Sequence, residues 1–236
     1  MNKSSDSLEF QNAVQNKNDE LNLLALSDAD RGMKVKCSEE VHTKELAKVG
    51  PYLTKQVDIN TYCQGNAHPG DSHEFRTIDT RGGRQMDLRE LFKKDDIYSA
   101  LMNDKIVQYA LSSTHAKPKN FDELEAVLGA SNGLGIGVFK ERPGKPPLDI
   151  YLNKNMFRNF SFHHLEENKI AVRLLPDYGS EISRNVMTQL GIALPVPAAL
   201  KNAFRDAEQA KKGFLMKDSA AKGKETFSER EYTEDW

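Results

Sequence analysis

Between Tyr62 and Phe92 the chain is punctuated so densely that few local structures fit it. Tyr62-Cys63-Gln64-Gly65-Asn66-Ala67-His68-Pro69 runs into a turn-rich loop marked by Gly65, Pro69 and Gly70. After His73 the sequence Glu74-Phe75-Arg76-Thr77-Ile78-Asp79, with Phe75 and Ile78 as its apolar members, reads as a strand leaving that loop. Asp79-Thr80-Arg81-Gly82-Gly83 is a turn cluster, and Met86, Leu88, Leu91 and Phe92 then form an apolar set. The unit is strand, turn, short apolar segment, then helix.

The flanking segments extend this pattern. Tyr52 to Tyr62 alternates and is rich in β-formers, which predicts a central antiparallel strand. Met33 to Ser38 alternates as a half-buried strand, and Val41 to Val49 continues it or forms a brief helix before Gly50-Pro51. Apolar residues at Ile97, Leu101, Ile106, Val107, Ala110 and Leu111 follow helical spacing, with Asp95 and Asp96 favourable at the helix start. Phe121 to Leu128 reads as a second helix closed by Gly129. Leu148 to Leu152, Phe157 to Phe162 and Lys169 to Leu175 read as strands, Asp177 to Ser180 as a loop, and Glu181 to Leu190 and Ala198 to Lys211 as helices.

These elements define an α+β class: an antiparallel sheet with two to three helices packed on one face. The expected organisation is a polar tether over residues 1–20, a single domain over 21–211, and a Lys-, Glu- and Ser-rich mobile tail over 212–236.

The strand–turn–helix order resembles the extracytoplasmic domain shared by the lysozyme-sensing anti-sigma factor of Gram-positive bacteria and by uncharacterised bacterial envelope lipoproteins. There a Gly-Gly-Ala-His-Pro-like loop precedes a strand and a Gly-x-x-Leu-x-Leu-x-x-Leu-Phe-like segment. Here Gly65-Asn66-Ala67-His68-Pro69 departs from the loop by one glycine, and Gly83 to Phe92 carries the second motif. The resemblance spans roughly residues 45 to 200, counting Phe160-Ser161-Phe162-His163-His164-Leu165. It implies a non-enzymatic cell-envelope domain that binds a protein or cell-wall component, with lysozyme as a specific ligand to test. The signalling role is not implied, because the sequence shows neither a membrane span nor a sigma-binding segment.

Composition narrows the partners. With 33 basic and 35 acidic residues, and no basic stripe interleaved with aromatics, nucleic acid is not expected. No apolar run approaches the roughly 20 residues that cross a bilayer. Met1 to Ser7 running into Gln11 to Asn18 has the polarity of a tether left after a lipoprotein signal is removed. The expected location is therefore periplasmic or outer-membrane-anchored, with a lipid anchor upstream; the alternative is a cytoplasmic adaptor or immunity-type binding protein. Cys37 and Cys63 form a bridge if their segments are neighbouring strands in an oxidising compartment, and are otherwise two buried thiols.

Catalytic signatures are sparse. Gly133, Gly135 and Gly137 lie at alternate positions, which suits a strand with one bare face better than a phosphate loop, and no cofactor is expected. His68 and His73, with Asp71 and Glu74, are the densest group of metal-ligand types, and a metal-dependent hydrolase built on them is the competing enzyme hypothesis. His68 has a structural alternative, tying its turn by hydrogen bonds. His163 and His164 should point to opposite faces of a strand, one buried and one exposed. Surface recognition remains, and Tyr62, His68, Arg142 and Tyr178 are the candidate ligand contacts, because loops carry binding and aromatic and Arg side chains dominate interfaces.

Overall fold

Gly50 and Pro51 turn the chain back on itself, joining β1 (Cys37–Val49) to β2 (Tyr52–Cys63). Gly50 takes a φ of +55°, in the region glycine tolerates best, and the two strands pair antiparallel along their full length. This computed structural model describes residues 36–64, 70–130, 133–142, 145–180, 184 and 187–216. Tyr52 to Tyr62 is the central strand its alternation predicts. It lies in the middle of a five-stranded sheet of order β11-β1-β2-β3-β4, with β3 at Gly70–Asp79, β4 at Arg84–Gln85 and β11 at Gly213–Phe214. Val41 to Val49 takes the strand alternative.

Two three-stranded antiparallel sheets complete the framework. One has order β5-β6-β9, from Ile136–Arg142, Lys145–Leu152 and Asp177–Tyr178. The other has order β10-β8-β7, from Leu190–Pro195, Lys169–Leu174 and Phe160–Glu166. Helices α1 (Leu88–Leu91), α2 (Lys94–Asn103), α3 (Lys105–Thr114), α4 (Phe121–Leu128) and α5 (Lys201–Glu208) bring the class to mixed α+β, with more helices than the two or three expected. No described helix is long and apolar enough to cross a membrane.

One apolar cluster joins all three sheets to the helices. Val49 and Tyr52 of the large sheet, Val138 and Ile150 of the second, and Phe162, Val172 and Ile192 of the third meet Ile97, Leu101, Ile106, Leu124 and Phe204 of the helices. The Phe162 and Phe204 rings meet edge to face with centroids 5.0 Å apart, an arrangement that adds about 1 kcal/mol to the burial of the two rings.

Several expectations are corrected. The periodic stretch Ile97 to Leu111 is two helices broken at Asp104, whose φ of −76° and ψ of 130° are extended. Its N–H donates to the Leu101 carbonyl to end α2, and its carboxylate accepts from the amides of Ile106 and Val107 at 2.9 Å to start α3. The apolar spacing survives the break because both helices bury the same kind of stripe. Phe157, expected to open a strand, instead ends a 3-10 turn at Lys154–Phe157, whose Asn155 amide donates to the Asn153 side chain at 2.9 Å, and the strand begins at Phe160. Asp177–Tyr178 pairs with β6 instead of looping, and Leu190 opens a strand instead of ending a helix.

The expected Lys211 boundary also falls short. Gly213 and Phe214 pair with Val49 and Lys48, and Leu215 and Met216 are 1% exposed. Apolar side chains behind a charged stretch still find the core there. The expected tether, and the tail beyond Met216, lie outside the described residues.

Candidate functional site

Cross-strand register builds the site. Residues directly opposite one another in an antiparallel sheet share a face, so the rows Lys44–Gln56–Phe75, His42–Asp58–His73 and Glu40–Asn60–Asp71 stack along one face of the β1-β2-β3 arm. Ser38 and Tyr62 follow towards the tip. At the base this face is closed by Leu46, Phe75, Leu175 and Met216, against which Tyr178 and Met187 pack. Leu46 sits at the irregularity between Glu45 and Ala47, an extra residue relative to β2.

Asp58 organises the middle of the face. His73 Nδ1 lies 2.6 Å from Asp58 Oδ1, and the Gln56 amide nitrogen donates to both carboxylate oxygens at 2.9 Å. Burial raises the Asp58 pKa, but the hydrogen bonds from His73 and Gln56, together with the charges of His73 and His42, outweigh it, and the carboxyl lies below its ordinary value. Oε1 of Gln56 is buried with no hydrogen-bond partner among the described residues, while its Nε2 is also 3.9 Å from the Met187 sulfur. His42 is turned towards solvent, 3.1 Å from the Glu40 carboxylate.

The tip is closed covalently. Cys37 and Cys63 are direct cross-strand partners with Cα atoms 4.0 Å apart and form a disulfide, within the about 7 Å that a bridge requires. Just beyond it the Gln64 amide donates to the Lys36 carbonyl at 2.8 Å. Tyr62, beside the bridge, is 52% exposed. An aromatic ring held on a stapled hairpin presents contact area with little conformational freedom to lose.

The other sequence candidates are distributed differently. His68 lies outside the described residues. Arg142 ends β5 opposite Lys145, on a different sheet from the arm. Tyr178 is packed between the two apolar clusters, and its hydroxyl donates to the Thr188 carbonyl at 2.9 Å. Burial, with Asp177 beside it, pushes its pKa well above the ordinary tyrosine value. Of the four, Tyr62 alone is seen as an exposed ring on the arm. His73 is engaged by Asp58, and among the described residues no group of three His, Cys, Asp or Glu side chains is arranged to hold a metal.

A second polar cluster was legible only in part. His163 is 1% exposed, as one of the two histidines was expected to be, but it does not point away from His164. The register shifts between Phe162 and His164, so His163 is an extra residue, and the two Nδ1 atoms lie 2.7 Å apart. His164 Nε2 reaches the Glu166 carboxylate at 2.9 Å.

Of the glycine-rich block only Gly137 lies in a strand: β5 begins at Ile136, and Gly133 and Gly135, with φ of +89° and +80°, belong to the turn before it. A Cβ on Gly137 would press on the Tyr151 ring at 3.3 Å, and one on Gly135 would fall 2.1 Å from the Leu152 carbonyl oxygen.

No family model matches the sequence, and no curated protein matches it. Among solved structures, the chain is similar to a member of the DUF3298 family from Bacteroides fragilis. The two are 15% identical, and the match covers 82% of this chain and 67% of that one with a TM-score of 0.31. A likeness this remote assigns neither a ligand nor an activity.

Proposed function

We propose that this chain is a non-enzymatic binding domain of the bacterial cell envelope, periplasmic or anchored to the outer membrane. On this reading it recognises a protein or cell-wall component with the polar face of the stapled β1-β2-β3 arm. The Cys37–Cys63 disulfide carries the reading, because such bridges persist in oxidising compartments and are rare in the cytosol. It also favours export over the cytoplasmic adaptor. The arm supplies a recognition surface in which Asn60, Asp71, Glu40 and His42 offer donors and acceptors beside the exposed Tyr62 ring. This chemistry suits a glycan face or a polar protein surface. The competing reading is a hydrolase using His68 and His73, in which the Asp58 bond at Nδ1 would orient the His73 ring and leave Nε2 for a metal.

Calorimetric titration with lysozyme and with solubilised cell-wall fragments tests the proposal. Saturable binding to one of them is expected, weakened about ten-fold or more by Tyr62→Ala, the scale of an interface hot spot. Stoichiometric zinc with hydrolytic activity in the purified protein would replace this reading with the hydrolase.

A further inference from the structure

A cleft of about 320 Å³ lies away from the arm, between the α2–α3 corner and the third sheet. Its floor is formed by Gly191, Ile192 and Ala193 of β10, and its rim by Lys105 and Lys169. Three consecutive strand residues cannot all line a cleft through their side chains, because successive side chains point to opposite faces. The strand therefore presents its backbone edge. β10 is the outer strand of its sheet, hydrogen-bonded on one side to β8. On the other side, towards which alternate residues of the strand direct their N–H and C=O groups, the Gly191–Ala193 stretch has no backbone partner among the described residues. An unpaired edge of this kind is a template for an added strand.

The lining carries two lysines and one carboxylate, while Glu166, opposite Lys169 on β7, is engaged by His164. Neither Lys105 nor Lys169 has an acidic partner among the described residues. The remaining carboxylate of the lining, Asp104, is turned onto the amides of Ile106 and Val107. The Arg173 guanidinium fills the space over Gly191, where a Cβ would meet it at 2.0 Å, and Ala193 follows on the same face. The volume is at the lower end of the about 300–1,000 Å³ of small-ligand clefts.

We infer that this cleft is a second binding site, independent of the arm, which takes a short extended peptide carrying carboxylates. The peptide main chain adds to the free edge of β10, and its carboxylates pair with Lys105 and Lys169.

Fluorescence anisotropy of the whole chain with a labelled, acetylated Val-Thr-Val-Glu-Glu peptide tests this, with the same peptide bearing Lys in place of Glu, and glutarate as competitor, as controls. The acidic peptide should bind saturably and shift the amide resonances of Gly191 to Ala193. Lys105→Glu with Lys169→Glu should lower its affinity roughly ten-fold without changing the melting temperature. Absence of saturation, equal affinity for the lysine peptide, or indifference to the charge reversal overturns the site. Glutarate competing as well as unlabelled peptide overturns the strand-addition part. Resonance shifts confined to Tyr62 and its neighbours would move the peptide to the arm, so failure here is distinguishable from failure of the proposed function.

Discussion

The Nδ1 atoms of His163 and His164 lie 2.7 Å apart, although neighbours on a regular strand point to opposite faces. The bulge at His163 makes this contact, in which one nitrogen donates and the other accepts. His164→Ala removes that contact, which costs about 1 kcal/mol, the usual scale for one lost hydrogen bond. Urea denaturation measures it, and a wild-type midpoint in this variant would remove the pair from the stabilising interactions.

Asp58 makes stability depend on pH. Burial works against its charge, while the hydrogen bonds from His73 and Gln56 outweigh burial, so its pKa in the fold is below the ordinary 3.8. A carboxylate held below its unfolded value contributes stability above that value and loses it as the pH falls through the folded-state pKa. The window is therefore below about pH 4. Asp58→Asn should be less stable than wild type near neutrality, and the gap between their urea midpoints should narrow as the pH is lowered towards about 3. A constant gap would show that the charge of Asp58 contributes nothing.

The disulfide restrains the arm rather than the core, since Cys37 is exposed and Cys63 half-buried while the apolar clusters lie at the other end of the strands. Reduction, or Cys37→Ser with Cys63→Ser, should cost about 2–4 kcal/mol by releasing the unfolded chain. Amide exchange should rise most in Ser38 to Thr43 and Ile59 to Tyr62. Thiol titration of the denatured, unreduced protein should find no free thiol, and two would contradict the bridge.

What the sequence disclosed follows from the range over which each signal acts. Tyr52 to Tyr62 was readable because alternation with β-formers is local and the strand occupies the sheet centre, where pairing on both sides agrees with it. The break at Asp104 was not, because periodicity reports which face is buried and continues across two helices that bury similar stripes. Bulges at Leu46 and His163 shift which residues share a face, and only the partner strand reveals them. For the same reason Asp58 was missed: its partner His73 is distant in sequence and is set opposite it by register alone. Tyr178 looked like a loop residue because Gly179 and Ser180 follow it, yet its ring is packed.

Asp104 offers a test that separates capping from charge. Its carboxylate accepts from two amides at the start of α3, while burial raises its pKa because charge is disfavoured there. Asp104→Ala removes the acceptor and should cost about 1 kcal/mol, the usual loss for an N-cap. Asp104→Asn retains an acceptor at the same position without the charge, and asparagine caps helices as well as aspartate does. That variant should match or slightly exceed the wild-type stability near neutral pH. Any excess should shrink as the pH is lowered and Asp104 itself becomes neutral, since an acid whose folded pKa is raised gains stability on protonation. Equal losses in the Ala and Asn variants would show instead that the negative charge at the helix start, and not the hydrogen bonds, holds the corner between α2 and α3.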